Sequence, residues 1–187
     1  MSRNRFWRLD RHPQGNAFAD ALSLQEDELP PLDDGEVRIR NLWLSMDAGT
    51  RMWMSPRTDG YQPPLPLGTP MIGLVLGRVT ESRAADFPEG SLVRGFGQWA
   101  DYSTVLPAQA GLVIVDESVA DLREHFGALG MNAWTAWVGV REVAAVKPGE
   151  WLAVPAAAGA TGSLACQIGR NLGARVIGIA GGPEKCR

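Results

Sequence analysis

Two short apolar runs, separated by a glycine-bearing turn and a helical pattern, constrain this chain more than any other feature. Trp151-Leu152-Ala153-Val154 is short and apolar, as expected of a strand buried on both faces, and Ala156 to Gly162 makes a tight turn into a helix. Leu164, Ala165, Ile168 and Leu172 fall within one stripe at helical spacing, so that helix has a face to lay on a sheet. Gly173 stops it, and Arg175 to Ala180 supplies a second strand, the short return of a right-handed βαβ unit.

Within the turn, Ala157, Gly159 and Gly162 occupy the three spaced positions of G-x-G-x-x-G, with alanine in place of the first glycine. Such a turn suits a dinucleotide. Gly159 lets the backbone approach a pyrophosphate, Gly162 lets the helix pack on its strand, and the helix N-terminus supplies unpaired N–H groups and a positive dipole. The alternative is a small-residue turn used only for packing. After the second strand the chain reads Ala180-Gly181-Gly182, with no carboxylate to bind a ribose 2′-hydroxyl. Lys185 lies just beyond and can meet a 2′-phosphate as a point charge, which favours NADP over NAD; its alternative reading is a solvated loop lysine.

The net charge of −3 includes no basic block, so neither nucleic acid nor an anionic membrane finds an electrostatic footprint and small ligands are the expected partners. No run of about 18 apolar residues occurs and the first residues lack the apolar core of a secretion signal, which makes the cytoplasm the expected compartment. Cys166 and Cys186 do not make a disulfide framework; the first reads as a packed thiol and the second as a solvent-side or partly covered one. His12 and His125 belong to no ligand-spaced cluster, and neither is assigned a catalytic role.

From the N-terminus, Glu36 to Leu44 begins with a period of two and predicts a half-buried strand after a turn at Gly35. Ser55 to Pro70 is dense in proline and glycine and predicts a long loop, either a wall of a substrate cleft or an irregular surface connection. Met71 to Ser82, Ser91 to Phe96, Trp99 to Leu106 and Gly111 to Asp116 are short strand candidates with glycine corners, the pattern of a small barrel-like β domain. Beyond Asp121 the period changes. Arg123 to Leu129 and Ala133 to Ala145 predict helices, with Asn132 as N-cap of the second and Lys147 to Glu150 as a closing turn. A domain boundary is expected near Ser118 to Glu124, with Trp134, Trp137 and Val138 as a buried face between domains.

These residues resemble the zinc-independent medium-chain dehydrogenase/reductase family, in the branch of prostaglandin reductases, alkenal double-bond reductases and curcumin reductase. The resemblance is carried by Asp34 to Val37, Leu44 to Asp47, Gly130 to Trp137, Lys147 to Glu150, Ala156 to Ser163 and above all Gly178 to Cys186. It implies a fold of class α/β plus β: a GroES-like β-barrel domain over residues 1–120, then over 121–187 a helical connector and the first βαβ of an incomplete, NADP-binding Rossmann domain. The implied activity is hydride transfer from NADPH to the β-carbon of an α,β-unsaturated ketone or aldehyde, with protonation at the α-carbon. Carried over by position, Gly159, Ala160, Thr161 and Gly162 bind the pyrophosphate, Lys185 the 2′-phosphate, and Met131 and Thr135 the nicotinamide region. No catalytic residue is assigned. Zinc is not expected, because Ser45-Met46-Asp47 and Gly68-Thr69-Pro70 stand where zinc-dependent relatives place a cysteine and a His-Glu pair.

The sequence departs from the family at Gly49, where many relatives have a substrate-lining tyrosine, and at Pro155, which lacks a backbone donor. Relatives are far longer, so the chain is expected to be the N-terminal portion of such an enzyme. The alternatives are a quinone reductase of the same superfamily, or a catalytically silent fragment or partner-completed module, and a homodimer is a possible assembly. Two strands alone would leave apolar edges and faces uncovered.

Overall fold

The computed structural model describes residues 3–15, 17–57, 59–60, 63–119 and 121–186. Contacts divide the chain into two units, one through Ser118 and one from Val119.

The first unit is built on antiparallel strands. An N-terminal hairpin, β1 (Arg3–Leu9) with β2 (Leu22–Glu28), stands beside a five-stranded sheet of β3 (Val37–Leu44), β4 (Ile72–Ser82), β5 (Leu92–Gln98), β6 (Tyr102–Val105) and β7 (Val113–Ile114), in the order β6-β3-β4-β5-β7. The expected closed barrel is not formed: β6 and β7 end the sheet, and among the described residues neither pairs with a further strand. They are only four and two residues long, and the turn of helix between them, α2 (Pro107–Ala110), folds inward. Gly111 at φ 56° ends that turn, and Ala110 and Leu112 cover one apolar face together with Val37, Ile39, Val79 and Val93. Each fully buried aliphatic side chain there contributes about 1.5–3 kcal/mol. A second cluster, Leu9, Ala21, Met54, Met71 and Trp99, lies under the hairpin, whose free edge bonds to loop backbone: Trp7 N–H donates to the Trp99 carbonyl and Met71 N–H to the Trp7 carbonyl, both at 2.8 Å.

One bend holds the long strands together. The β3–β4 register slips between Asn41 and Trp43, and the Asn41 amide nitrogen donates to the carbonyls of Gln98 (3.1 Å) and Ala100 (2.8 Å) and to Ser103 Oγ (3.0 Å). Gly77 sits opposite. A Cβ there would lie 2.4 Å from the Arg40 carbonyl oxygen and 2.6 Å from Ile39 Cγ2. The turn of helix α1 (Thr50–Trp53) opens the segment leading to the proline-rich stretch. The loop expected over Ser55 to Pro70 has no regular structure where it is described, and Thr58, Tyr61 and Gln62 lie outside the described residues.

The second unit departs from its expected helices. Arg123 to Leu129 gives only a single 3-10 turn, Leu122–His125, capped by Asp121, whose carboxyl is held down to about 2 by hydrogen bonds from Arg123. Helix α3 (Met131–Trp137) is capped at Gly130, not Asn132, and runs on as a π-helix over Val138–Val143 before Ala145 turns at φ 48°. Trp134, Trp137 and Val138 are 67%, 39% and 43% exposed, whereas Ala136 and Val140 are the buried residues of this segment. The small residues face inward here because α3 packs against a neighbouring helix through Ala136, Val140 and Ala165. Among the described residues no helix is long and apolar enough to cross a membrane.

Gly77→Ala is expected to destabilise the first unit by about 1–3 kcal/mol, since a backbone carbonyl cannot retreat as a flexible side chain can. Urea denaturation of the two proteins, compared at unchanged m-value, checks it.

Candidate functional site

The site expected from the sequence lies in the parallel part of the second unit. Strands β8 (Trp151–Pro155) and β9 (Arg175–Ile179) pair in parallel from Trp151 opposite Arg175 to Pro155 opposite Ile179, with helix α4 (Ala160–Asn171) between them in sequence. Parallel pairing puts both strand ends, and the turns that follow them, on the same edge of the sheet. The burial is more one-sided than a strand enclosed on both faces would give. Val154 is buried against α4, whereas Trp151, Ile177 and Ile179 are 65%, 49% and 55% exposed.

The turn is closed by its own backbone. Ala156 adopts φ 52°, its carbonyl accepts the Gly159 N–H at 2.9 Å, and the Ala157 N–H donates to the Ile179 carbonyl at 3.0 Å. Gly159 is the N-cap of α4, extended at φ −82° and ψ 169°, and no side chain caps the helix. The first intrahelical bond runs from the Ser163 N–H to the Gly159 carbonyl at 2.9 Å. The N–H groups of Ala160, Thr161 and Gly162 therefore precede any intrahelical acceptor, at the positive end of the dipole.

Three glycines set how closely this can be built. A Cβ at Gly162 would lie 2.3 Å from the Ala156 carbonyl oxygen, so Gly162 makes room for the turn itself; the close helix-to-strand contact is made instead at Gly169, where a Cβ would meet Leu152 Cδ2 at 2.5 Å. That corrects the role expected of Gly162. Gly178 on β9 compensates for alanine at the first position of the pattern, because a Cβ there would fall 2.9 Å from that of Ala157. At Gly159 only the Ala156 carbonyl oxygen comes near, at 3.2 Å, which leaves its other side open to a ligand.

Lys185 lies in the 3-10 turn Pro183–Cys186 after β9, exposed, following Gly182 at φ 83°. No ion pair is formed by it among the described residues. Met131, 66% exposed, opens α3, and the Thr135 hydroxyl donates back to the Met131 carbonyl at 2.9 Å. The Thr161 hydroxyl in the first turn of α4 donates to Asn132 Oδ1 at 2.9 Å, which joins the starts of α3 and α4. Gly169, Gly178 and Asn132 escape sequence reasoning. The first two fall outside the glycine pattern, and only the pairing of the strands reveals their neighbours. Asn132 reads as a cap because its type and place suit one.

The residues present suit a dinucleotide phosphate. Three backbone donors precede any intrahelical acceptor at a helix start, the N-cap Gly159 carries no side chain over them, and an exposed lysine follows β9. Among the described residues no three His, Cys, Asp or Glu side chains gather to hold a metal ion.

Comparison with known proteins gives the class. Residues 5–115 match the model of a family described as the N-terminal domain of oxidoreductase, and the chain belongs to this family. It is 37% identical over 185 residues to the NADPH-dependent curcumin reductase of Escherichia coli K12, covering 99% of this chain and 53% of that protein. Prostaglandin reductase 1 of Oryctolagus cuniculus is 35% identical over 186 residues, with 99% and 51% covered. CurA from Vibrio vulnificus in complex with NADPH superposes with a TM-score of 0.88 at 33% identity, over 97% of this chain and 53% of that one. The chain spans about half the length of the curated relatives it matches.

Gly162→Ala is expected to cost about 1–3 kcal/mol by forcing the turn apart. Gly139→Ala, with nothing within 4 Å of the added carbon, is the control and should be neutral or slightly stabilising. Thermal unfolding of both variants beside the wild type checks the contrast.

Proposed function

We propose that this chain carries the NADPH site of an oxidoreductase that reduces the C=C bond of α,β-unsaturated ketones or aldehydes. The observation that carries the reading is the uncapped first turn of α4, set at the same sheet edge as Lys185. In this reading the N–H groups of Ala160, Thr161 and Gly162 hold the pyrophosphate and Gly159 lets it come close. Lys185 answers the 2′-phosphate with a single charge, while Ala180-Gly181-Gly182 offers no carboxylate to repel it. Met131 and Thr135 on α3 line the nicotinamide end. The division into a GroES-like unit over 1–120 and a Rossmann unit over 121–187 belongs to the same reading. When bound, NADPH supplies the hydride for the β-carbon of the alkene. The protein's part is to hold the two reactants in register and exclude water. The names of the relatives, an NADPH-dependent curcumin reductase and a prostaglandin reductase, support this assignment.

The test is the loss of NADPH absorbance when the purified chain is given a small enone, an alkenal or a quinone. Oxidation with the enone or alkenal supports the reading, and oxidation with the quinone alone replaces its acceptor class. NADPH binding without oxidation of any acceptor leaves this chain a nucleotide-binding module and defeats the catalytic part.

Lys185→Ala is expected to weaken NADPH binding about 10- to 150-fold, the range for a lost hydrogen bond to a charged group, and to spare NADH. Titration calorimetry with both nucleotides checks it; an equal loss for both removes Lys185 from the 2′-phosphate.

A further inference from the structure

We infer that Asn132 is a positioning residue for the dinucleotide, acting through Thr161. This rests on the nucleotide reading above but concerns a residue outside the glycine pattern. Asn132 lies in the first turn of α3 and Thr161 in the first turn of α4, 29 positions apart in sequence, and their side chains meet in a partly buried hydrogen bond of 2.9 Å. Thr161 Oγ donates and Asn132 Oδ1 accepts.

Two consequences follow from that direction. The hydroxyl proton of Thr161 is already engaged, so this residue meets a pyrophosphate through its backbone N–H, not through its side chain. The first turn of α4, which no side chain caps, is instead anchored from a second helix. An uncapped helix start frays readily, and free N–H groups bind an anion well only if they are already aimed. The apolar contacts between the helices, through Ala136, Val140 and Ala165, fix their separation but, lacking direction, do not fix the rotation of the first turn. A hydrogen bond does.

The experiment measures the affinity of the full chain for NADPH and NADH, together with its melting temperature without nucleotide, for Asn132→Ala, Thr161→Val, the pair combined, and Thr161→Ser. The expected loss is about tenfold for each of the first two, because a mis-aimed set of donors forfeits roughly one charge-assisted hydrogen bond. It should fall equally on NADPH and NADH, since the pyrophosphate is common to both. The combined variant should lose no more than either single one, and Thr161→Ser, which keeps the hydroxyl, should bind as the wild type does. Unchanged affinity in Asn132→Ala overturns the inference. So does a loss that Thr161→Ser shares, or additive losses in the combined variant, or a loss that merely tracks a fall in melting temperature. A wild-type chain that binds neither nucleotide overturns the nucleotide reading, and this inference with it. Wild-type binding left intact by Asn132→Ala overturns this inference alone.

Discussion

The close approach of backbone to backbone at the start of α4 is the constraint on which the second unit depends. Ala156 must bring its carbonyl to the Gly159 N–H, and the helix must then begin within van der Waals range of that same carbonyl, which only a residue without Cβ at Gly162 permits. Ala156 bears the strain at φ 52°, a left-handed conformation that costs a non-glycine residue roughly 1–2 kcal/mol. Once the turn is made, the helix lies down on β8 and β9, and the approach repeats at Gly169 against Leu152 and at Gly178 against Ala157. The three glycines divide the work: Gly162 and Gly178 make room for the turn, and Gly169 lets the helix lie against Leu152 and Val176 beside the buried Val154 and Ala165.

The first unit meets a similar demand with different chemistry. Its strands bend where the register of β3 slips, and at that slip one amide nitrogen, Asn41 Nδ2, is shared among three acceptors at the end of β5, in the β5–β6 connection and on β6. Gly77 opposite gives the bend its room. Such a bend would allow a barrel to close. The edges β6 and β7 are too short to meet, however, and α2 plugs the apolar face with Ala110 before they could. The sheet is curved and covered without being closed.

Much of this was legible in the chain because periodicity and glycine spacing report local geometry. Val37 to Leu44, Ile72 to Ser82 and the β8-α4-β9 unit follow from alternation, glycine punctuation and the helical stripe. What remained illegible depends on partners distant in sequence. The β1–β2 hairpin draws its apolar contacts from Met71 and Trp99, so its own arginine-rich alternation gives little sign of burial. The aromatic residues of α3 read as a face buried between domains, whereas the residues of this segment that are buried against α4 are Ala136 and Val140. For the candidate site, the turn and Lys185 are visible as residues in a pattern. Asn132 is not, because a hydrogen bond between two helices leaves no trace in the spacing of either.

A turn that serves only to pack a helix on a sheet and a turn that serves to bind a phosphate differ in one respect that this structure exposes. Packing accounts for Gly162, Gly169 and Gly178, each of which has protein atoms in the space a side chain would fill. Packing gives a weaker reason for glycine at the N-cap, where a Cβ on Gly159 would meet only the Ala156 carbonyl oxygen, at 3.2 Å, and where serine, threonine or aspartate would satisfy one of the free N–H groups. Replacing such a cap by glycine costs only a few tenths of a kcal/mol, whereas a side-chain oxygen over the first turn would occupy the position an incoming phosphate oxygen needs. Glycine at the cap therefore gives up little stability and keeps the donors free. The chain anchors that bare turn from the side, through Thr161 and Asn132, and leaves its front open.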